Sequence, residues 1–116
     1  MDMGKLQRES HQVAKDHGWW DKVSEDIIPA KIALMHSELS EALEEYRTNH
    51  MDVYYPTWTE DTDGPDKPEG FGVELADCII RIFDLAEWLD ISMEDLVDEK
   101  MLYNKSRSYR HGGKKV

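Results

Sequence analysis

The chain is poor in cysteine, in basic residues and in long apolar runs, and each shortage removes a class of protein. Cys78 is the only cysteine in 116 residues, which excludes an internal disulfide and a cysteine-built zinc site. It falls in an apolar helical run and reads as a small core residue. No apolar stretch approaches the roughly 20 residues that cross a bilayer. No basic segment followed by an apolar one marks a secretory leader. Fourteen Lys and Arg stand against 25 Asp and Glu, a formal net charge of −11. Such a chain repels bare nucleic acid and anionic membrane, so neither is an expected partner. A cytoplasmic protein is the expectation. There is no Glu-x-x-His, the motif that supplies ligands in di-iron carboxylate bundles. There is also no convincing strand pattern, and no internal repeat beyond a pair of acidic motifs.

What is present is helical periodicity in four segments of one domain spanning 1–116. The first runs from about Lys5 to Asp16, and Gly18 ends it. Trp19 and Trp20 follow. The second begins near Pro29, a good first-turn residue, and reaches about Arg47. Ile32, Met35, Leu39, Ala42, Leu43 and Tyr46 form its apolar stripe. The third spans roughly Phe71 to Leu89. The fourth starts after Ser92, with Asp95 three residues on in a capping-box-like arrangement, and runs to about Ser106. The fold class is therefore all-α, an antiparallel four-helix bundle. Residues 49–70 form a long loop holding Pro56, Pro65 and Pro68. Its Tyr54, Tyr55 and Trp58 should pack, and the part from Glu60 to Pro68 should be mobile.

Four carboxylates carry the chemistry. Glu38 and Glu41 lie three apart in the second helix, and Glu74 and Asp77 three apart in the third. Residues so spaced share a helix face. Two such helices packed together bring four carboxylates to one spot, where they repel unless a cation sits between them. Mg²⁺ prefers oxygen ligands of this kind. In the third helix, Glu74, Asp77, Arg81 and Asp84 form a narrow polar stripe between two apolar faces. A helix apolar on nearly all sides is expected to be buried, with its stripe lining a cleft. Arg81 reads as a counter-ion for Asp77 or Asp84. The bland alternative is a non-catalytic helical interaction module whose acidic faces meet a basic partner. So strongly apolar a third helix also implies a homodimer or a dimer of dimers. The basic residues gather at the end: Lys100, Lys105, Arg107, Arg110, Lys114 and Lys115 are six of the fourteen.

Ser37-Glu38-Leu39-Ser40-Glu41-Ala42-Leu43-Glu44-Glu45, followed by Val73-Glu74-Leu75-Ala76-Asp77-Cys78-Ile79-Ile80, resembles the MazG-like nucleotide pyrophosphohydrolases of the all-α NTP pyrophosphatase superfamily. Lys100-Met101-Leu102-Tyr103-Asn104-Lys105-Ser106-Arg107 and the basic tail, 107–116, resemble the end of such a domain. The resemblance implies Mg²⁺-dependent hydrolysis of a nucleoside triphosphate to the monophosphate and pyrophosphate, with Mn²⁺ a possible substitute. It implies Glu38, Glu41, Glu74 and Asp77 as metal ligands, and Lys100, Asn104 and Arg107 as phosphate or sugar contacts. Glu41 is the candidate proton acceptor, and Lys100 the candidate holder of developing charge. Trp19 and Trp20 sit where such proteins place base-contacting residues, and only one of the two neighbours is expected to stack on a base. Some relatives carry a further acidic residue where this chain has Ser37. Glu45, one turn beyond Glu41, is a possible replacement ligand.

Overall fold

The computed structural model describes residues 2–56 and 66–107. They form four helices: α1 (Met3–Asp16), α2 (Ile27–Arg47), α3 (Phe71–Trp88) and α4 (Met93–Ser106). No strand occurs among the described residues, only an isolated bridge between Tyr54 and Glu69. The fold is all-α, a four-helix arrangement, as the periodicity requires. No helix among the described residues is long and apolar enough to cross a membrane. Trp58, most of the loop segment expected to be mobile, and the tail beyond Arg107 lie outside the described residues.

The helix ends follow from local chemistry. Three helices stop with one motif. At α1, Gly18 takes a positive φ of 82°, its N–H bonds Lys15 O at 3.0 Å, and Trp19 N bonds Ala14 O at 3.1 Å. Asn49 (φ 64°) and Asp90 (φ 57°) play the same part after α2 and α3. His50 N then bonds Glu45 O at 2.8 Å, and Ile91 N bonds Ala86 O at 2.9 Å. This six-to-one closure satisfies carbonyls the helix leaves open. At the other ends, Asp2 caps α1 by accepting from Lys5 N, and the Ser92 hydroxyl accepts from Asp95 N at 3.3 Å to start α4.

α3 is the central element. It packs on α2 along one side and on α1 along the other, and α4 rests chiefly on α1. Small residues at the contacts, Ala14, Ala42, Cys78 and Ala86, let the helices approach closely, and Leu85 fills the middle. Cys78 is a buried free thiol directed at Met35 O, 3.6 Å away, and so is the core residue its setting predicted. Gln7 is a buried polar staple. Its amide donates to Glu87 Oε1 (3.1 Å) and Ile91 O (2.7 Å) and accepts from Met93 N (3.2 Å). It thereby fixes the α3–α4 turn onto α1, and a buried amide with three partners costs little.

The reading of α3 as buried nearly all round does not hold within one chain. Leu75, Ile79 and Ile80 are 38%, 51% and 48% exposed. Two neighbouring helices cover only part of a helix surface, and α4 does not close the remaining side. The long loop is pinned at its base. Tyr54 and Glu69 exchange two 2.9 Å backbone hydrogen bonds, and Phe71 N bonds His50 O. Gly70 is required there: at φ 132°, an added Cβ would lie 2.7 Å from Asp52 O.

Candidate metal centre

The α2–α3 contact brings Glu38, Glu41 and Glu74 together, with one carboxylate oxygen from each lying within 4.8 Å of the others. Their burial is graded. Glu38 is buried, Glu74 half-buried and Glu41 exposed, so the cluster has a dry floor and an open side. Asp77, one turn along α3, stays outside this close group but within its electric field.

Arg81 holds the floor. Its Nε donates to Glu38 Oε1 at 2.8 Å. The expected counter-ion role toward Asp77 is present as a longer-range charge effect, but the hydrogen bond goes to Glu38 rather than to Asp77 or Asp84. Same-helix neighbours are the partners that spacing suggests, but the packed α2 supplies a closer carboxylate. Glu45 is corrected too. It accepts from Tyr54 Oη at 3.2 Å and lies 3.4 Å from His50 Nδ1, so the base of the long loop engages it rather than the cluster. Burial, with the carboxylates of Glu45 and Glu69, pushes the Tyr54 hydroxyl up to about 12.

One cation cannot satisfy three carboxylates, and the protonation pattern reflects that. Burial presses the Glu38 carboxyl upward. Its hydrogen bonds with Arg81, Glu74 and Glu41 outweigh that effect and hold it below the ordinary carboxylate value. Glu74 goes the other way. Burial first, then its contacts with Glu38 and Glu41 and the charges of Glu41 and Asp77, push it up to about 8. The first turn of a helix favours a carboxylate by about 0.3–1 kcal/mol, and here that preference loses to burial and like charge. Asp77 is also raised, by burial and by Glu38, with Arg81 and Lys67 opposing. Glu74 Oε2 is fully buried and has no hydrogen-bond donor. A buried carboxylate oxygen without a donor needs a proton or a cation. The all-oxygen donor set suits a hard divalent ion, and Glu38, Glu41 and Glu74 are the residues that fit one, with Asp77 beside them.

The remaining candidate residues are dispersed. Lys100 lies over the Tyr103 ring at 4.7 Å, and Arg107 lies over the same ring at 5.6 Å. Lys100 lines a hollow of about 370 Å³ with Leu96, Glu99 and Tyr103. Asn104 shares that helix, which packs on α1 rather than on the α2–α3 pair. Trp20 is fully engaged. Its Nε1 donates to Asp84 Oδ1 at 2.8 Å, its ring stacks on Trp88 at 4.9 Å, and Lys31 sits 4.4 Å over it. Trp19 is 56% exposed and borders a cavity between α1 and α3.

Sequence spacing missed the other half of the Trp20 anchor. His11 Nδ1 meets Asp84 Oδ1 at 2.8 Å across 73 positions, and no periodicity signals such a pair. Comparison with protein-family profiles, with curated proteins and with solved structures finds no match to the chain.

Proposed function

We propose that the chain is a Mg²⁺-dependent nucleoside triphosphate pyrophosphohydrolase, converting an NTP or dNTP and water to the monophosphate and pyrophosphate and so clearing unwanted nucleotides. The observation that carries this reading is the donor-less, buried Glu74 Oε2 set among carboxylates from two helices. Mg²⁺, or Mn²⁺ in its place, would neutralise a triphosphate there and acidify a bound water. Glu38, Glu41 and Glu74 would hold that ion, with Asp77 beside them. Arg81 fixes the orientation of Glu38, the outer-shell role that typically changes metal affinity 10- to 100-fold when removed. Glu41, the exposed member, stands on the side that solvent and a phosphate chain reach, and it takes the proton of the attacking water.

Lys100 and Asn104 supply positive charge and hydrogen bonds to phosphate oxygens, with Arg107 alongside. Within one chain they sit on α4, away from the cluster, and they serve it from a second subunit. Two observations support this pairing. No residue of α4 is buried, and Leu102 is 69% exposed. Among the described residues the buried apolar core of one chain is Ala14, Ala42, Cys78, Leu85 and Ala86, with no large side chain fully enclosed. A homodimer, alone or doubled into a tetramer, covers those faces.

The test is a panel of ribo- and deoxyribonucleoside triphosphates assayed for pyrophosphate. Mg²⁺-dependent release of pyrophosphate rather than single phosphate is expected from at least one of them. Glu38→Gln should lower it by about 10³-fold or more, since the variant loses a charged ligand and the ion pair with Arg81. Absence of cleavage across the panel, or full activity in Glu38→Gln, refutes the enzyme and leaves the interaction module.

A further inference from the structure

α2 carries a wider apolar stripe than α3 covers. Ala42 is buried, but Ile28, Ile32, Leu39, Leu43 and Tyr46 remain between 41% and 60% exposed. On α3, Leu75 and Ile79 are exposed as well. These two sets share one flank of the helix pair. The bonds from Arg81 to Glu38 and from Cys78 to Met35 O mark the sides of α3 and α2 that meet. Each residue turns a helix by about 100°. One step forward from Ala42 and from Cys78 therefore turns to Leu43 and Ile79, and one step back turns to Glu41 and Asp77. Because α2 and α3 run antiparallel, equal turns on the two helices lead to the same flank. The pair thus has an acidic flank and, opposite it, an apolar one.

The apolar strip runs about 27 Å along α2 from Ile28 to Tyr46 and about 20 Å across the two helices, on the order of 500 Å² in projection. That is at the upper end of what a monomer leaves bare, about 300–600 Å². It approaches the roughly 800 Å² that each partner gives a standard interface. Gly72 supplies a second, independent observation. It is exposed on the same side of α3 as Ile79, and an added Cβ there would meet nothing within 4 Å. Its backbone does not take the positive φ that calls for glycine elsewhere in the chain. Glycine weakens a helix relative to alanine, and nothing inside the chain requires it at 72. With Ala76 one turn on, also exposed, it leaves a stretch of backbone bare enough for an outside helix to close upon.

We infer that this flank is a self-association surface, on which α2 and α3 of a second copy pack about a twofold axis to form a four-helix layer. The strip is made of apolar residues, in a chain of which 34% are charged. It offers nothing to orient a charged partner, and it complements itself. The net charge favours the same arrangement. Each chain carries −11, and docking on this flank turns the carboxylate cluster of each copy away from the other. The contact is distinct from the α4 pairing, which reaches the acidic flank, so the two together make a dimer of dimers. It stands whether or not the acidic flank hydrolyses a nucleotide.

The experiment is light scattering of the full chain at micromolar concentration, with circular dichroism of the same samples, for wild type, Gly72→Leu and Ile79→Lys. Both positions are exposed, and a side chain at 72 enters space that its own chain leaves open, so each variant should keep wild-type helicity. Each should halve the mass, from four chains to two. Gly72→Leu overfills the close approach, and Ile79→Lys puts a charge into an apolar contact. A fall from two chains to one would support this face equally and count against the α4 pairing instead. Wild type at 13.5 kDa, or a variant that keeps the wild-type mass, overturns the surface. Loss of helicity in either variant would show that its own chain covers the position and would overturn the surface too.

Discussion

Glu74→Gln should make the metal-free protein more stable at pH 8 and at the same time abolish its stabilisation by Mg²⁺ or Mn²⁺. The Glu74 carboxyl sits at about 8 in the fold, pushed there by burial and by its acidic neighbours, whereas an unfolded chain leaves it near 4.5. A raised value means that the fold prefers the protonated form. Its stabilising contribution is therefore complete below pH 4.5, falls as pH rises from there to about 8, and is gone above. Glutamine imitates the protonated acid at every pH. Variant and wild type should then melt together near pH 4.5. At pH 8 the variant should gain on the order of 1–3 kcal/mol, the cost of a buried group left without its partner, or several degrees in Tm. The difference between the two proteins isolates this residue from Glu38, whose lowered value acts in the opposite sense with pH. Adding a divalent cation should reverse the order, because it takes the place of the missing proton in wild type only. Thermal scans at pH 5 and pH 8, with and without Mg²⁺, read all four cases.

Two inactive variants should restore each other. Lys100→Ala is expected to cost about 10²–10³-fold in kcat/KM, the usual loss when a preorganised contact to developing charge is removed. Glu38→Gln removes the acidic side. If Lys100 serves the partner's cluster, a mixed dimer of the two variants contains one site with both residues intact. Random reassociation through a twofold interface makes half the dimers mixed, so about a quarter of wild-type activity should return. If Lys100 served its own chain, neither site of the mixed dimer would be whole and activity would stay at baseline. The same preparations should scatter light as a dimer or tetramer of the 13.5 kDa chain. A 13.5 kDa particle at micromolar concentration would refute the pairing.

Local features of this fold were legible in the sequence, and long-range ones were not. Gly18 and the Ser92–Asp95 pair mark helix ends because capping is decided within one or two turns. Spacing of three placed Glu38 with Glu41 and Glu74 with Asp77 on shared helix faces; that α2 packs on α3 with those faces together is a tertiary fact, and it brings three of the four expected carboxylates close while leaving Asp77 outside. The partner of Arg81 was not. Asp77 and Asp84 are its neighbours along α3, but Glu38 lies 43 positions away on α2, and helix spacing carries no information about which helix packs opposite. Glu45 reads as a ligand on spacing alone; its engagement by Tyr54 depends on how the long loop folds back through the Tyr54–Glu69 bridge. The place of α4 was hidden for a related reason. Periodicity shows that a helix has an apolar side, and the chain that covers it need not be its own. The two tryptophans separate only in the fold, where Asp84 and Trp88 engage Trp20 and leave Trp19 at the cavity.

The direct test of the account is a titration of metal-free protein with Mn²⁺ at pH 7, following free Mn²⁺ by electron paramagnetic resonance and proton release in weak buffer. Saturable binding is predicted, accompanied by release of close to one proton per ion as Glu74 gives up the proton it holds at that pH. Both signals should vanish in Glu74→Gln. Mn²⁺ that stays free, or binds with no proton released and equally well to Glu74→Gln, would contradict a cation site built from the carboxylates of α2 and α3.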